Sequence, residues 1–198
     1  MIEIIPAILT NDPVKFNQLL EKIEKGPGKR VQIDIIDGVF TDNVTVEPNV
    51  MYDSDTKLSI DYHLMVDEPV DWVDRCIKGY ADRIIGHIEK MSNQVDFVGK
   101  VQEVGAQVGL AIDIDTPLSE LDSTILNNLD VVLVMSVKAG FGGQKFDDRA
   151  LTKIDRLDEI RSRDDTPFKI CDDGGITLEN IDDIRRAGVN EVSIGKRL

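Results

Sequence analysis

Two acids and a histidine occupy strand positions that a globular chain normally gives to apolar side chains. The stretch Gln32 to Gly38, QIDIIDG, sets Asp34 in the middle of a β-branched run. Asp61 to Met65, DYHLM, does the same with His63, and Cys171 to Gly175, CDDGG, closes a third run with Asp172 and Asp173. Strand side chains alternate, so Gln32, Asp34 and Ile36 share one face and Ile33, Ile35 and Asp37 the other. Asp61, His63 and Met65 also share a face. Taken alone, Asp34 could cap a turn or pair with a buried amide. If Asp34, His63 and Asp173 all point inward, two carboxylates and an imidazole converge. That set suits a divalent cation, and the carboxylates could act as general acid and base. Asp37 and Asp172 fall on the opposite faces and are expected to satisfy backbone groups or cap turns. His87 has only Glu89 beside it and reads as structural. Met65 and Met135 read as core, or as a pliable apolar wall if they floor a pocket.

Three glycine-bearing segments accompany these residues: Gly140-Phe141-Gly142-Gly143, Gly174-Gly175 and Gly195. Glycine lets backbone N–H groups face an anion at close range, so these turns are candidate phosphate contacts.

The elements that must position this chemistry follow from the apolar pattern. β-rich runs lie at Ile2 to Leu9, Val31 to Ile36, Leu58 to Met65, Arg83 to Ile88, Gln107 to Ile112, Val131 to Val137, Phe168 to Cys171 and Glu191 to Ile194. Helical spacing separates most of them, at Val14 to Ile23, Pro69 to Ile77, Val95 to Val104, Leu151 to Ile160 and Leu178 to Ala187. Asp12-Pro13, Glu68-Pro69 and Thr116-Pro117 are helix-start signals, and Gly79, Gly105 and Gly188 are expected as left-handed caps. The link between the second and third strands carries at most a short helical piece near Val46 to Tyr52. Eight alternating units imply a single-domain (β/α)8 barrel over residues 1–198, with chemistry at the C-terminal strand ends. The sequence stops just after the eighth strand, so the expected barrel has its final covering helix missing or truncated.

Composition narrows the function classes. The 198 residues are 41% hydrophobic with a formal charge of -14, which disfavours an electrostatic grip on nucleic acid or an anionic membrane. The N-terminus lacks the basic start of a signal peptide, and no apolar run is long enough to span a bilayer. Cys76 and Cys171 read as reduced thiols, so a cytoplasmic location is expected.

PAIL at Pro6 to Leu9, QIDIIDGVF at Gln32 to Phe40, the Asn43/Thr45/Pro48 pattern, DYHLMVDEP at Asp61 to Pro69, MSVKAGFGGQKF at Met135 to Phe146 and DDGGI at Asp172 to Ile176 resemble ribulose-phosphate 3-epimerases. The resemblance covers nearly the whole chain in order. It implies a (β/α)8 isomerase of carbohydrate metabolism, in the pentose phosphate pathway, that interconverts D-ribulose 5-phosphate and D-xylulose 5-phosphate through an enediolate. Asp34 and Asp173 match its two acid/base positions and two of its metal ligands, and His63 matches a third ligand. One divalent ion is implied, with zinc, iron, manganese and cobalt as candidates. Ala7, Met65, Met135, Gly140, Phe141, Gly142, Gly143, Gly174, Gly175, Gly195 and Lys196 fall at positions for the sugar phosphate. The implied partner is that small molecule, and a homo-oligomer is left open.

Several departures modify these expectations. Gln32 stands where the family usually has a ligating histidine, Ala7 and Lys196 where it has serines, and Ile36 where it has methionine. An amide oxygen is a weaker and harder donor than imidazole, so a metal is expected to bind less tightly or to change identity. Lys138-Ala139 replaces an acidic or amide residue followed by proline, and a looser strand-six loop is expected. Two other readings stay open: a phosphosugar-binding barrel with lost or altered activity, and a 3-epimerase of a hexulose 6-phosphate such as allulose 6-phosphate.

Overall fold

The structure is a computed structural model that describes residues 2–164 and 167–195. Eight parallel strands close into a barrel in sequence order: β1 (Glu3–Ile8), β2 (Arg30–Ile36), β3 (Ser59–Met65), β4 (Ala81–His87), β5 (Gln107–Ile112), β6 (Val131–Met135), β7 (Lys169–Asp173) and β8 (Glu191–Ile194). The helices are α1 (Pro13–Glu24), α2 (Val73–Lys78), α3 (Gln94–Glu103), α4 (Arg149–Arg161) and α5 (Ile181–Arg186). No helix among the described residues is long and apolar enough to cross a membrane.

Local signals explain where the helices start. The Asp12 side chain accepts from the Val14 and Lys15 amides, Pro13 opens α1, and Phe16, Leu20 and Ile23 form its buried stripe. Asn93 caps α3 in the same way through Val95 and Asp96, and Phe97, Val98 and Val101 are buried behind it. Between β2 and β3 the chain makes one 3-10 turn at Pro48–Met51, in keeping with the short helical piece expected there.

Three expectations need correction. The Thr116-Pro117 signal starts no α-helix: residues between β5 and β6 make only 3-10 turns at Leu118–Glu120 and Leu126–Asn128. There Asp122 accepts from both the amide and the hydroxyl of Thr124, a local turn that competes with helical bonding. Pro69–Trp72 is likewise a 3-10 turn, and α2 begins only at Val73. Gly79 is not a left-handed cap, since its φ is -89° and Tyr80 carries the positive φ. Glycine is required there because a Cβ would strike the Tyr62 hydroxyl, which itself donates to the Gly79 carbonyl at 2.9 Å.

The core has two compartments. Ile33, Ile35, Leu64, Ile84, Leu110 and Val132 face outward and pack with the helices. Ile36, Met65, Ile85, Ala111, Leu133, Met135 and Cys171 fill the barrel lumen. Below that apolar waist lies a charged floor. Arg83 donates to Glu191 at 2.7 Å and to Asp61, Arg30 also donates to Asp61, and Lys169 donates to Glu191. Asp61, Arg83 and Glu191 are fully buried or nearly so. The five side chains join β2, β3, β4, β7 and β8 across the lower end of the barrel. Burial pulls Glu191 toward the neutral form, but Arg83 and Lys169 outweigh it and hold the carboxyl below its ordinary value.

Cys76 and Cys171 are both buried and unpaired.

Candidate active site

The upper end of the lumen gathers the polar residues. Register places Asp34 level with His63, and Asp173 level with Met135 and Ser193. Gln32 sits level with Ala7 on β1. β2 can carry two polar groups inward because Val31, Ile33 and Ile35 supply the apolar outer face.

Distances define a compact cluster. The His63 Nδ1 atom lies 3.1 Å from Asp34 Oδ1 and 3.7 Å from Asp173 Oδ2. Gln32 reaches between them: its Nε2 donates to Asp34 Oδ1 at 2.9 Å and to Asp173 Oδ2 at 2.7 Å, and lies 3.4 Å from His63 Nδ1. The Gln32 Oε1 and His63 Nε2 atoms are buried without a partner. Asp34, His63 and Asp173 each offer one donor atom, all within 4.8 Å of one another. Two carboxylate oxygens, one imidazole nitrogen and an unpartnered amide oxygen nearby are a donor set that fits a first-row divalent ion. Asp34, His63 and Asp173 could therefore hold a metal.

Electrostatics separate the members. Burial and the adjacent Asp34 charge push the Asp173 carboxyl well above the usual carboxylate range, against His63 and Gln32. Burial disfavours a charged His63, yet the Asp34 hydrogen bond and the two carboxylates hold its pKa above the ordinary value. Behind His63, the His87 ring stacks at a centroid distance of 5.0 Å, and the Phe40 ring packs against His87 in turn at 4.8 Å. His87 Nδ1 is bonded to Glu89 at 2.8 Å, and burial lowers its pKa. Sequence reasoning placed His87 as structural but missed that it walls His63, because a contact between β3 and β4 rings leaves no mark in local spacing.

The outward acids divide. Asp37 closes the turn after β2 as expected, accepting from the Val39, Phe40 and Asp67 amides. Asp172 makes no hydrogen bond of ordinary geometry from either buried oxygen, although the Ser136 hydroxyl and the Asp173 amide lie close enough to oppose the rise in its pKa. The Ser136 hydroxyl beside it is committed to the Asp173 and Gly174 carbonyls. Burial pushes the Asp172 carboxyl up to about 8, so it is neutral at pH 7.

The loops form the rim. Thr45 donates to the Asp34 carbonyl at 2.7 Å and accepts from the Ile36 amide at 2.9 Å, fixing the backbone on either side of the acid. Asn43 Nδ2 donates to the Gly140 carbonyl at 2.7 Å and so ties the β2 loop to the β6 loop. Gln144 Nε2 donates to the Lys138 and Phe141 carbonyls, both at 2.7 Å, folding the β6 loop on itself. The loop that the Lys138-Ala139 departure was expected to loosen thus carries two side-chain ties. Neither was legible, since an amide at a loop position names no partner.

Gly140, Gly143, Gly174 and Gly175 all have positive φ. At Gly174 a Cβ would press on Val137, and at Gly175 on the Phe146 backbone, so the β7 turn is packed directly against the β6 loop. Gly142 and Phe141 are exposed on the rim. A Cβ at Gly195 would meet nothing closer than the Ala7 carbonyl at 3.8 Å. Met65, Met135 and Ala7 are buried in the wall. Lys196 lies outside the described residues.

The pattern of the Ribulose-phosphate 3 epimerase family matches residues 3–198. The chain is 30% identical over 200 residues to the ribulose-phosphate 3-epimerase of Bacillus subtilis, covering 98% of this chain and 91% of that one. It is 35% identical over 201 residues to ribulose-phosphate 3-epimerase 2 of Cupriavidus necator, covering 98% and 83%. Among solved structures, a mutant tryptophan synthase alpha-subunit from Pyrococcus furiosus shares the fold at a TM-score of 0.69 and 13% identity, covering 98% and 86% of the two chains. With a match along nearly its whole length and relatives at this identity, the chain belongs to the ribulose-phosphate 3-epimerase family.

Proposed function

We propose that this protein is a 3-epimerase of a ketose phosphate, interconverting D-ribulose 5-phosphate and D-xylulose 5-phosphate by proton transfer between two aspartates. The observation that carries this reading is the placement of Asp34 and Asp173. They come from β2 and β7, converge on the same buried chamber, and are joined by one amide. Inverting a carbon beside a carbonyl needs a base on one face and an acid on the other. Asp34 would remove the C3 proton, leaving an enediolate, and Asp173 would return a proton to the opposite face. The raised pKa of Asp173 suits the acid role, because burial keeps a proton on it at pH values where an exposed aspartate has none. In the reverse direction the two exchange roles.

Asp34, His63 and Asp173 would hold the divalent ion, which when bound would supply Lewis-acid stabilisation of negative charge developing on the substrate. The chain's own contribution is position. Thr45 fixes the Asp34 backbone, His87 backs His63, and Met65, Met135 and Ala7 exclude water from the reacting carbon. Gly140, Gly142, Gly143, Gly174, Gly175 and Gly195 would present backbone N–H groups to the phosphate at the rim, a local arrangement indifferent to the acidic outer surface.

Solvent deuterium provides the test. Ribulose 5-phosphate incubated with the protein in D2O should gain deuterium at C3 as it becomes xylulose 5-phosphate; Asp34→Asn should abolish the exchange, and Asp173→Asn should abolish the epimerisation. Tight sugar-phosphate binding with no exchange under any added divalent ion would instead identify a binding barrel without the reaction.

A further inference from the structure

Gln32 touches every member of the candidate centre. Its Nε2 lies 2.9 Å from Asp34 Oδ1, 2.7 Å from Asp173 Oδ2 and 3.4 Å from His63 Nδ1. The same His63 nitrogen is 3.1 Å and 3.7 Å from those oxygens. The amide group thus sits within hydrogen-bond reach of both carboxylates and beside the imidazole nitrogen.

The orientation of that amide is dictated by its neighbours. Two carboxylates repel each other and a bare amide oxygen, whereas an NH2 group offers one hydrogen to each. With nitrogen inward, the amide therefore does for the two aspartates part of what a cation would do. The cost appears at the other end of the group: Oε1 is buried with no partner, and an unpartnered buried carbonyl is unfavourable. A cation reverses the preference. The NH2 group can only donate and would face the ion with hydrogens, while the oxygen can donate a lone pair to it.

We propose that Gln32 is a two-position element of the metal centre: nitrogen inward it ties Asp34 to Asp173 in place of a cation, and with the amide turned over its oxygen completes the ligand set. This rests on the metal-centre reading of Asp34, His63 and Asp173. Its consequence is that cation binding competes with two hydrogen bonds already present, so the site is selective against weakly held ions. A neutral histidine at position 32 has a single N–H and could not bond both carboxylates at once.

The test follows the Gln32 side-chain NH2 signals in 15N-labelled full-length protein while zinc is added, with binding measured in parallel by calorimetry. The signals are assigned by their loss in Gln32→Glu. Without zinc, both protons should resonate downfield and exchange slowly with D2O. On zinc binding they should move upfield and exchange faster. Gln32→Glu, which offers oxygen in either orientation and cannot bridge two carboxylates while ionised, should bind zinc at least tenfold tighter than the wild type. Zinc binding that leaves the Gln32 amide signals in place would overturn the two-position element while leaving the metal centre intact. Failure of zinc, manganese and cobalt to bind either protein would remove the metal centre and the element together, whatever the C3 exchange assay reads. If Gln32→Glu does not fold, the NH2 signals are assigned through bonds from the Gln32 backbone in 13C,15N-labelled wild-type protein, and the wild-type titration decides the matter.

Discussion

Asp34 Oδ1 and His63 Nδ1 face each other at 3.1 Å from level positions on adjacent strands. Asp34 is one of the groups that hold the His63 pKa up against burial. Asp34→Asn should therefore lower the His63 pKa below that of the wild type. With only His63 and His87 in the chain, ring-proton titration by NMR would read the change directly. An unchanged or raised His63 value would refute the coupling.

Removing either proposed proton-transfer group should damage turnover far more than binding. Asp34→Asn and Asp173→Asn are expected to lower kcat for ribulose 5-phosphate by about 10²–10⁴-fold, the usual scale for a lost general acid or base. KM should change less. A variant that kept most of its kcat would show that the corresponding carboxylate is not the one that moves the proton.

The tie from Asn43 to the Gly140 carbonyl holds the rim rather than the reacting centre. Asn43→Ala should raise KM by about fivefold, the equivalent of one ordinary hydrogen bond, with kcat reduced less. Equal loss of both would place Asn43 in the chemistry instead.

Arg83 keeps Asp61 and Glu191 paired in the barrel floor. Arg83→Met would leave two buried carboxylates with only Arg30 and Lys169 for partners, and should cost about 3–5 kcal/mol of stability in urea denaturation. Replacing Asp61 by asparagine in the same chain should recover part of that loss. A cost well under 1 kcal/mol would mean that the floor is already solvated.

Asp172 gives the stability curve a slope. Its pKa is about 8 in the folded protein against an ordinary 3.8, so folding holds a proton that the unfolded chain releases. The neutral folded group is least costly below pH 4, and stability falls as pH rises from about 4 to about 8. Asp172→Val should remove this slope, its advantage over the wild type growing by about 5 kcal/mol between pH 4 and pH 8. A gain that did not vary with pH would point to packing rather than ionisation.

The strands were legible because a parallel barrel buries both faces of each one, which leaves β-branched runs broken by turns. The inward set was legible because strand alternation is strict, so Asp34 and His63 could be assigned to a face before any partner was known. What stayed hidden was long-range. Nothing near Arg83 names Glu191, 108 positions away, and nothing in the Asp172 sequence context shows that Ser136 is already engaged. The β5–β6 connection misled for a local reason: Pro117 is a fair helix start, but Asp122 and Thr124 close a turn before helical bonding can spread. Gly79 misled because tight packing against Tyr62 and a left-handed backbone demand the same residue.

The ion-paired floor has a further consequence. With Arg83, Asp61 and Glu191 paired across the lower end of the barrel and Ile85, Leu133 and Cys171 buried above them, the described residues close the lumen from below. On the proposed reaction, sugar and product would come and go from the side of the C-terminal strand ends, and a proton taken up by either aspartate would reach bulk water from that same side.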